Sequence, residues 1–99
     1  MHYILKGHEP KPVEDTLEWA RWFEHADRVV ACDHVGGAHV STVFLGTNHR
    51  FVGEGPPLLF ETMVFGHKTF SDVQERYATW DEAVSGHAEI LARVMGHGE

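Results

Sequence analysis

"VVACDHVGGAHVSTVF", residues 29 to 44, decides the fold. Its two halves are rich in β-branched residues and are separated by Gly36-Gly37, a pair that tolerates the positive φ angles of a two-residue hairpin turn. Folding there sets a register. Val35 stands opposite Ala38, His34 opposite His39, Asp33 opposite Val40, Cys32 opposite Ser41 and Val30 opposite Val43. Because strand side chains alternate, one face carries Val30, Cys32, His34, His39, Ser41 and Val43, and the other carries Val29, Ala31, Asp33, Val35, Ala38, Val40, Thr42 and Phe44. The second face is the core candidate, and the imidazoles point to water. Asp33 is the misfit on the apolar face, where its place near the end of the hairpin keeps the carboxylate wet.

Upstream, "HYILKG" (2–7) alternates as a short strand, and Pro10 and Pro12 in "HEPKPVED" predict a connector without regular structure up to Asp15. Asp15, with Glu18 three positions on, opens an amphipathic helix of about three turns, with Leu17, Ala20 and Phe23 on the inward face. Trp19 and Ala26 flank that face, opposite Glu18, Arg21 and His25. Downstream, "GTNHRFVGEGPP" is a loop, "LLFETMVFG" (58–66) reads as a central strand and "QERYA" as a last short one. Thr79 and Glu82 form a second capping box, opening a helix whose stripe is Trp80, Val84, His87, Leu91 and Val94, with Gly96 placed to end it. The predicted class is α+β: one domain over residues 1–99, with an antiparallel sheet of four to five strands and two helices packed on one face.

At 99 residues, with 42% apolar side chains, three Trp and six Phe, the chain holds a core without disulfide or structural metal. The single cysteine, Cys32, excludes an internal disulfide and points to a reducing compartment, the cytoplasm. The start lacks the pattern of a signal peptide, and no apolar run is long enough to span a bilayer. A net charge of −7 with dispersed cations argues against direct nucleic-acid binding, although protonating the nine histidines would reverse the sign.

Four groupings carry candidate chemistry. His34, His39 and Cys32 share a face and make the minimum ligand set for zinc, but Cys32 lies two residues from His34, about 6.5 to 7 Å along the strand. No fourth ligand is suggested by spacing, so neither a metal nor a cofactor is expected. His49 and Arg50 sit on a glycine-interrupted loop, where a base or an anion-binding pair would be displayed. Glu61, a carboxylate inside an apolar strand, needs water, a cation or a raised pKa, and Arg76 is its natural partner. With Tyr77 and His49 these two would line a polar pocket; alone they form a structural ion pair. His87, inside an apolar helical stripe, is expected to be a hydrogen-bonded histidine and not a ligand, and Gly86 beside it permits close packing. No serine elbow or glycine-rich phosphate loop occurs.

The runs "VSTVFLGTNHRF", "GEGPPLLFETMVFG" and "ERYATWDEAVSGH", within residues 29 to 87, resemble a family of small uncharacterised proteins encoded by bacteriophages, prophages and some bacterial genomes. That family commonly has an aspartate where Asn48 stands and a glycine where His67 stands. The resemblance implies a phage-type accessory protein and no particular activity. The expected function is a noncatalytic, cytoplasmic binding module for a host protein or a small-molecule ligand through His49, Arg50, Glu61, Arg76 and Tyr77. A homodimer would form through an exposed Trp19 or Trp22. The alternative is a small hydrolase, metal-dependent or using His49 and Glu61. A third reading, an acidic decoy of nucleic acid, would need a negative stripe on one face.

Overall fold

The computed structural model describes residues 1–97. Its elements are β1 (His2–Lys6), β2 (Glu9–Val13), α1 (Thr16–His25), β3 (Val29–Val35), β4 (Ala38–Phe44), β5 (Phe60–Phe65), β6 (Gln74–Tyr77) and α2 (Trp80–His97). The α+β class holds. Its strands are divided into a four-stranded antiparallel sheet, ordered β3-β4-β5-β6, and a separate β1-β2 hairpin. Helix α2 lies across all four strands of the larger sheet, whereas α1 rests mainly on the hairpin.

The Gly-Gly turn forms as expected, with Gly36 at a φ of 58°, and the pairs from Cys32–Ser41 to Val35–Ala38 are in the expected register. The pairing predicted for Val30 with Val43 does not form. Val29 takes that place, and a bulge before Ala31 turns Val30 inward onto a cluster built from Phe44, Leu59, Phe60 and Ala83. Val29 is left exposed. One extra residue in a strand exchanges the faces of everything beyond it, so the error is confined to the strand's first two residues.

Residues 9–13 are a strand, not a connector. Lys6 pairs with Glu9 across a two-residue turn, so the hydrogen-bonded pairs of the ladder are Lys6–Glu9, Ile4–Lys11 and His2–Val13. Pro10 and Pro12 fall between them, opposite Leu5 and Tyr3, where a backbone N–H would point away from β1. Prolines two apart on an edge strand therefore cost the ladder nothing.

Both helices are capped as their sequences predict. Asp15 Oδ1 accepts from the backbone N–H of Leu17 and Glu18. Thr79 Oγ1 accepts from Glu82 N while Glu82 Oε1 accepts from Thr79 N. Their inward faces differ from the prediction only in part, since Phe23 of α1 and Trp80, His87, Leu91 and Val94 of α2 do turn inward. In α1 it is Trp19, Trp22 and Phe23 that are half-buried, and Leu17 is 65% exposed. Trp19 Nε1 donates to the carbonyls of Tyr3 and Gly46, both at 3.1 Å, and Trp22 meets the Phe44 ring edge-on. Both indoles are thus engaged within the fold while remaining only half-buried. In α2, Ala83 and Ile90 are buried and Val84 is exposed. The helix passes through Gly96 to His97, so that glycine does not end it.

Two apolar clusters fill the space between α2 and the sheet. One is Ala38, Val40, Val64, Ile90 and Val94; the other contains Phe44, Leu59, Phe60 and Ala83. The positions between them on β4, β5 and α2 are Thr42, Thr62 and His87, all buried. A polar layer thus divides the core. No helix among the described residues is long and apolar enough to cross a membrane.

Candidate functional site

The polar layer is one continuous chain of hydrogen bonds. Tyr77 donates its hydroxyl proton to Thr62 Oγ1 at 3.2 Å, and the hydroxyls of Thr62 and Thr42 are bonded to each other. Thr42 Oγ1 meets His87 Nδ1 at 2.7 Å, and His87 Nε2 meets Asp33 Oδ2 at 2.7 Å. A neutral His87 protonated at Nε2 gives every donor along this chain one acceptor. Burial pushes the Tyr77 hydroxyl above its ordinary pKa; the bond to Thr62 acts in the opposite direction, and the nearby carboxylates of Glu75 and Glu89 add to the rise. Asp33, His87 and Thr42 have the acid–base–hydroxyl connectivity of a hydrolase triad. Thr42, however, is 0% exposed, so its oxygen has no access to a substrate. The chain holds α2 to the sheet.

The other face of the sheet carries Glu61 and Arg76. They are direct cross-strand partners, and Arg76 Nε donates to Glu61 Oε2 at 2.9 Å, the ion pair expected from sequence. Tyr77, one residue along β6, points to the α2 side, so Glu61, Arg76 and Tyr77 do not share a pocket. His49 Nδ1 bonds its own loop at Thr47 O, 3.0 Å away, and its ring lies 5.4 Å from that of Phe51. Arg50 Nε donates to Pro56 O at 2.9 Å. Both loop residues are thus tied to the loop that bears them.

Cys32, His34 and His39 do come together on the outer face. Cys32 Sγ is 3.0 Å from His39 Nε2, and the two imidazoles are stacked at 4.5 Å with planes 8° apart. Ring nitrogen lone pairs lie in the ring plane, so parallel rings aim them side by side instead of at one point. Among the described residues no group of three His, Cys, Asp or Glu side chains is arranged to hold a metal ion.

A separate cavity lies elsewhere. A cleft of about 460 Å³ opens between the β1-β2 hairpin and the first turn of α2, lined by Tyr3, His8, Glu9, Leu59, Trp80 and Asp81 among others. The His8 imidazole lies flat on the Trp80 indole, 3.8 Å between centroids and 4° between planes, and Trp80 stands edge-on to Phe60 at 6.2 Å. None of the residues singled out as binding candidates from sequence lines this cleft. Reading residues 9–13 as a connector hid it, because the cleft exists only once the hairpin is laid against the start of α2. Signals were present in the crowding of His8 and Glu9 at one turn and in Trp80 beside a capping box. Comparison with protein-family models, with curated proteins and with solved structures finds no match.

Proposed function

We propose that the protein is a noncatalytic binding module that takes a small-molecule ligand in the cleft between the β1-β2 hairpin and α2. The observation that carries this reading is the cleft itself: about 460 Å³, within the usual range for small-molecule sites, with an aromatic platform and the polar side chains of Glu9, Thr79 and Asp81 in its lining. The proposal needs no second copy of the chain. It places the protein in the cytoplasm, consistent with one free cysteine, and, given the resemblance described above, in the host cell of a phage as an accessory protein.

Fragment screening by amide and indole NMR tests it. Binders should shift the signals of Tyr3, His8, Glu9, Trp80 and Asp81 together. Hits that instead cluster on His49, Arg50, Glu61 and Arg76, or a screen without any hit, would end the proposal. A second reading, hydrolysis at the outer sheet face, is favoured by the 3.0 Å contact between Cys32 and His39, a thiol beside a potential base. Activated-ester turnover abolished by Cys32→Ser would support it, and turnover unchanged by that substitution would remove it.

A further inference from the structure

Resting on the reading of the cleft as the ligand site, we infer that it selects a planar cation of about one ring in size, an amidinium, guanidinium or protonated heterocycle, bound on the face of Trp80. The lining holds two carboxylates, Glu9 and Asp81, and neither lysine nor arginine. No ion pair within the described residues engages either carboxylate. An anion would be the obvious guest for the start of an 18-residue helix. Here negative charge is already placed at that end: Asp81 and Glu82 lie in the first turn, Thr79 Oγ1 accepts from Glu82 N, and Glu82 Oε1 accepts from the backbone N–H groups of Ala78 and Thr79 just before the helix. The local field therefore favours positive charge.

The platform supplies the shape. Trp80 already holds a flat nitrogen heterocycle, the His8 imidazole, in parallel contact. His8 is exposed and sits in the two-residue turn between β1 and β2, so rotation about its side-chain bonds frees the indole face without disturbing the ladder. The negative face of an indole attracts a cation, and the N–H groups at the edge of an amidinium or guanidinium can reach carboxylate oxygens. The ligand thus takes the place of the His8 ring and adds the charge contacts with Glu9 and Asp81.

Three probes of nearly the same shape separate charge from shape: benzamidinium, benzamide and benzoate, titrated into the isotope-labelled full chain. Benzamidinium should shift the Trp80 indole and Tyr3 signals and bind about tenfold or more tighter than benzamide, with benzoate weakest. The surface variant Glu9→Gln/Asp81→Asn should lower benzamidinium affinity roughly tenfold and leave benzamide unchanged. His8→Ala should tighten benzamidinium a few-fold, because the internal occupant is gone. If benzamide or benzoate moves the cleft signals at equal or lower concentration, the inference about charge is overturned while the cleft remains a binding site. If none of the three moves those signals, the site and its preference fall together. A His8→Ala protein that binds benzamidinium no tighter overturns the placement on Trp80.

Discussion

Replacing Gly86 by alanine sets two effects of opposite sign against each other. In a solvated helix the change is stabilising by about 1 kcal/mol, since alanine restricts the unfolded backbone and favours the helix. In α2 the added Cβ would stand 2.2 Å from Tyr77 Cε1, 2.3 Å from Cζ and 2.3 Å from the hydroxyl oxygen. Ordinary contact needs about 3.5 Å, so the ring must retreat by about 1.2 Å or more. It is not free to do so, because its hydroxyl bonds Thr62 Oγ1. Overpacking of this kind costs about 1–3 kcal/mol, which leaves Gly86→Ala less stable than the parent by up to about 2 kcal/mol. In a domain of this length each kcal/mol lowers Tm by roughly 4–8 °C. The sign should reverse once the ring is removed: in a Tyr77→Ala background, Gly86→Ala should gain about 1 kcal/mol. Urea unfolding of the four proteins, followed by circular dichroism, measures the coupling. A Gly86→Ala protein stabilised equally in both backgrounds would refute the reasoning.

Further outcomes follow from the polar layer and the outer face. Thr42→Val keeps the shape but leaves His87 Nδ1 facing a methyl group; it should cost about 1–3 kcal/mol in urea unfolding, and a protein as stable as the parent would show that the bond contributes nothing. Because the folded Tyr77 pKa is raised, its contribution to stability is complete below the unfolded value of about 10 and is lost as pH rises through the folded value. Stability measured against pH should therefore fall less steeply in Tyr77→Phe over that alkaline window. Glu61→Ala, which strands Arg76 beside a largely buried position, should cost about 1–2 kcal/mol, and the double change Glu61→Met/Arg76→Met should cost less than the sum of its singles. Excess zinc should leave Tm unchanged, because the stacked rings of His34 and His39 do not converge on one ion; a rise that is lost in His34→Ala would count against that geometry.

The middle of the chain was legible because two independent signals agreed there: β-branched alternation and a glycine pair. The pairing of Glu61 with Arg76 was legible because a carboxylate between Phe60 and Thr62 has few alternatives to a cation on the neighbouring strand. The bulge at Val30 was not, because an extra residue in a run of valines and alanines leaves the composition unchanged. Nor was the strand at 9–13, because proline's usual tendency opposes a strand and only the pairing register shows that each missing N–H falls on the outer edge. In α1 the inward face is rotated from Leu17 and Ala20 toward Trp19 and Trp22, with Phe23 common to both sets, whereas in α2 the predicted Trp80, His87, Leu91 and Val94 do face inward and only Val84 gives way to Ala83 and Ile90. Trp19 and Trp22 in α1, or Ala83 and Ile90 in α2, fit a helical face as well as Leu17 and Ala20, or Val84, and only the partner surface distinguishes them.

Asp33 and His87 were each anomalous within their own element, one a carboxylate on an apolar strand face and the other an imidazole in an apolar helical stripe. Taken locally, water answers the one and a single hydrogen bond the other. They answer one another across 54 positions of sequence. The hairpin in its present register turns Asp33 toward α2; a slip of one residue would turn it to the outer face and leave His87 without its carboxylate. A buried polar layer costs desolvation, and an all-apolar core would bind the same elements at least as tightly. What the layer adds is discrimination, because a correct register satisfies every donor from Tyr77 to Asp33 and a slipped one satisfies few. The same chain fixes α2 against the sheet at His87, two turns from Trp80 and Asp81. The wall of the cleft is therefore held by the register of a hairpin that does not line it.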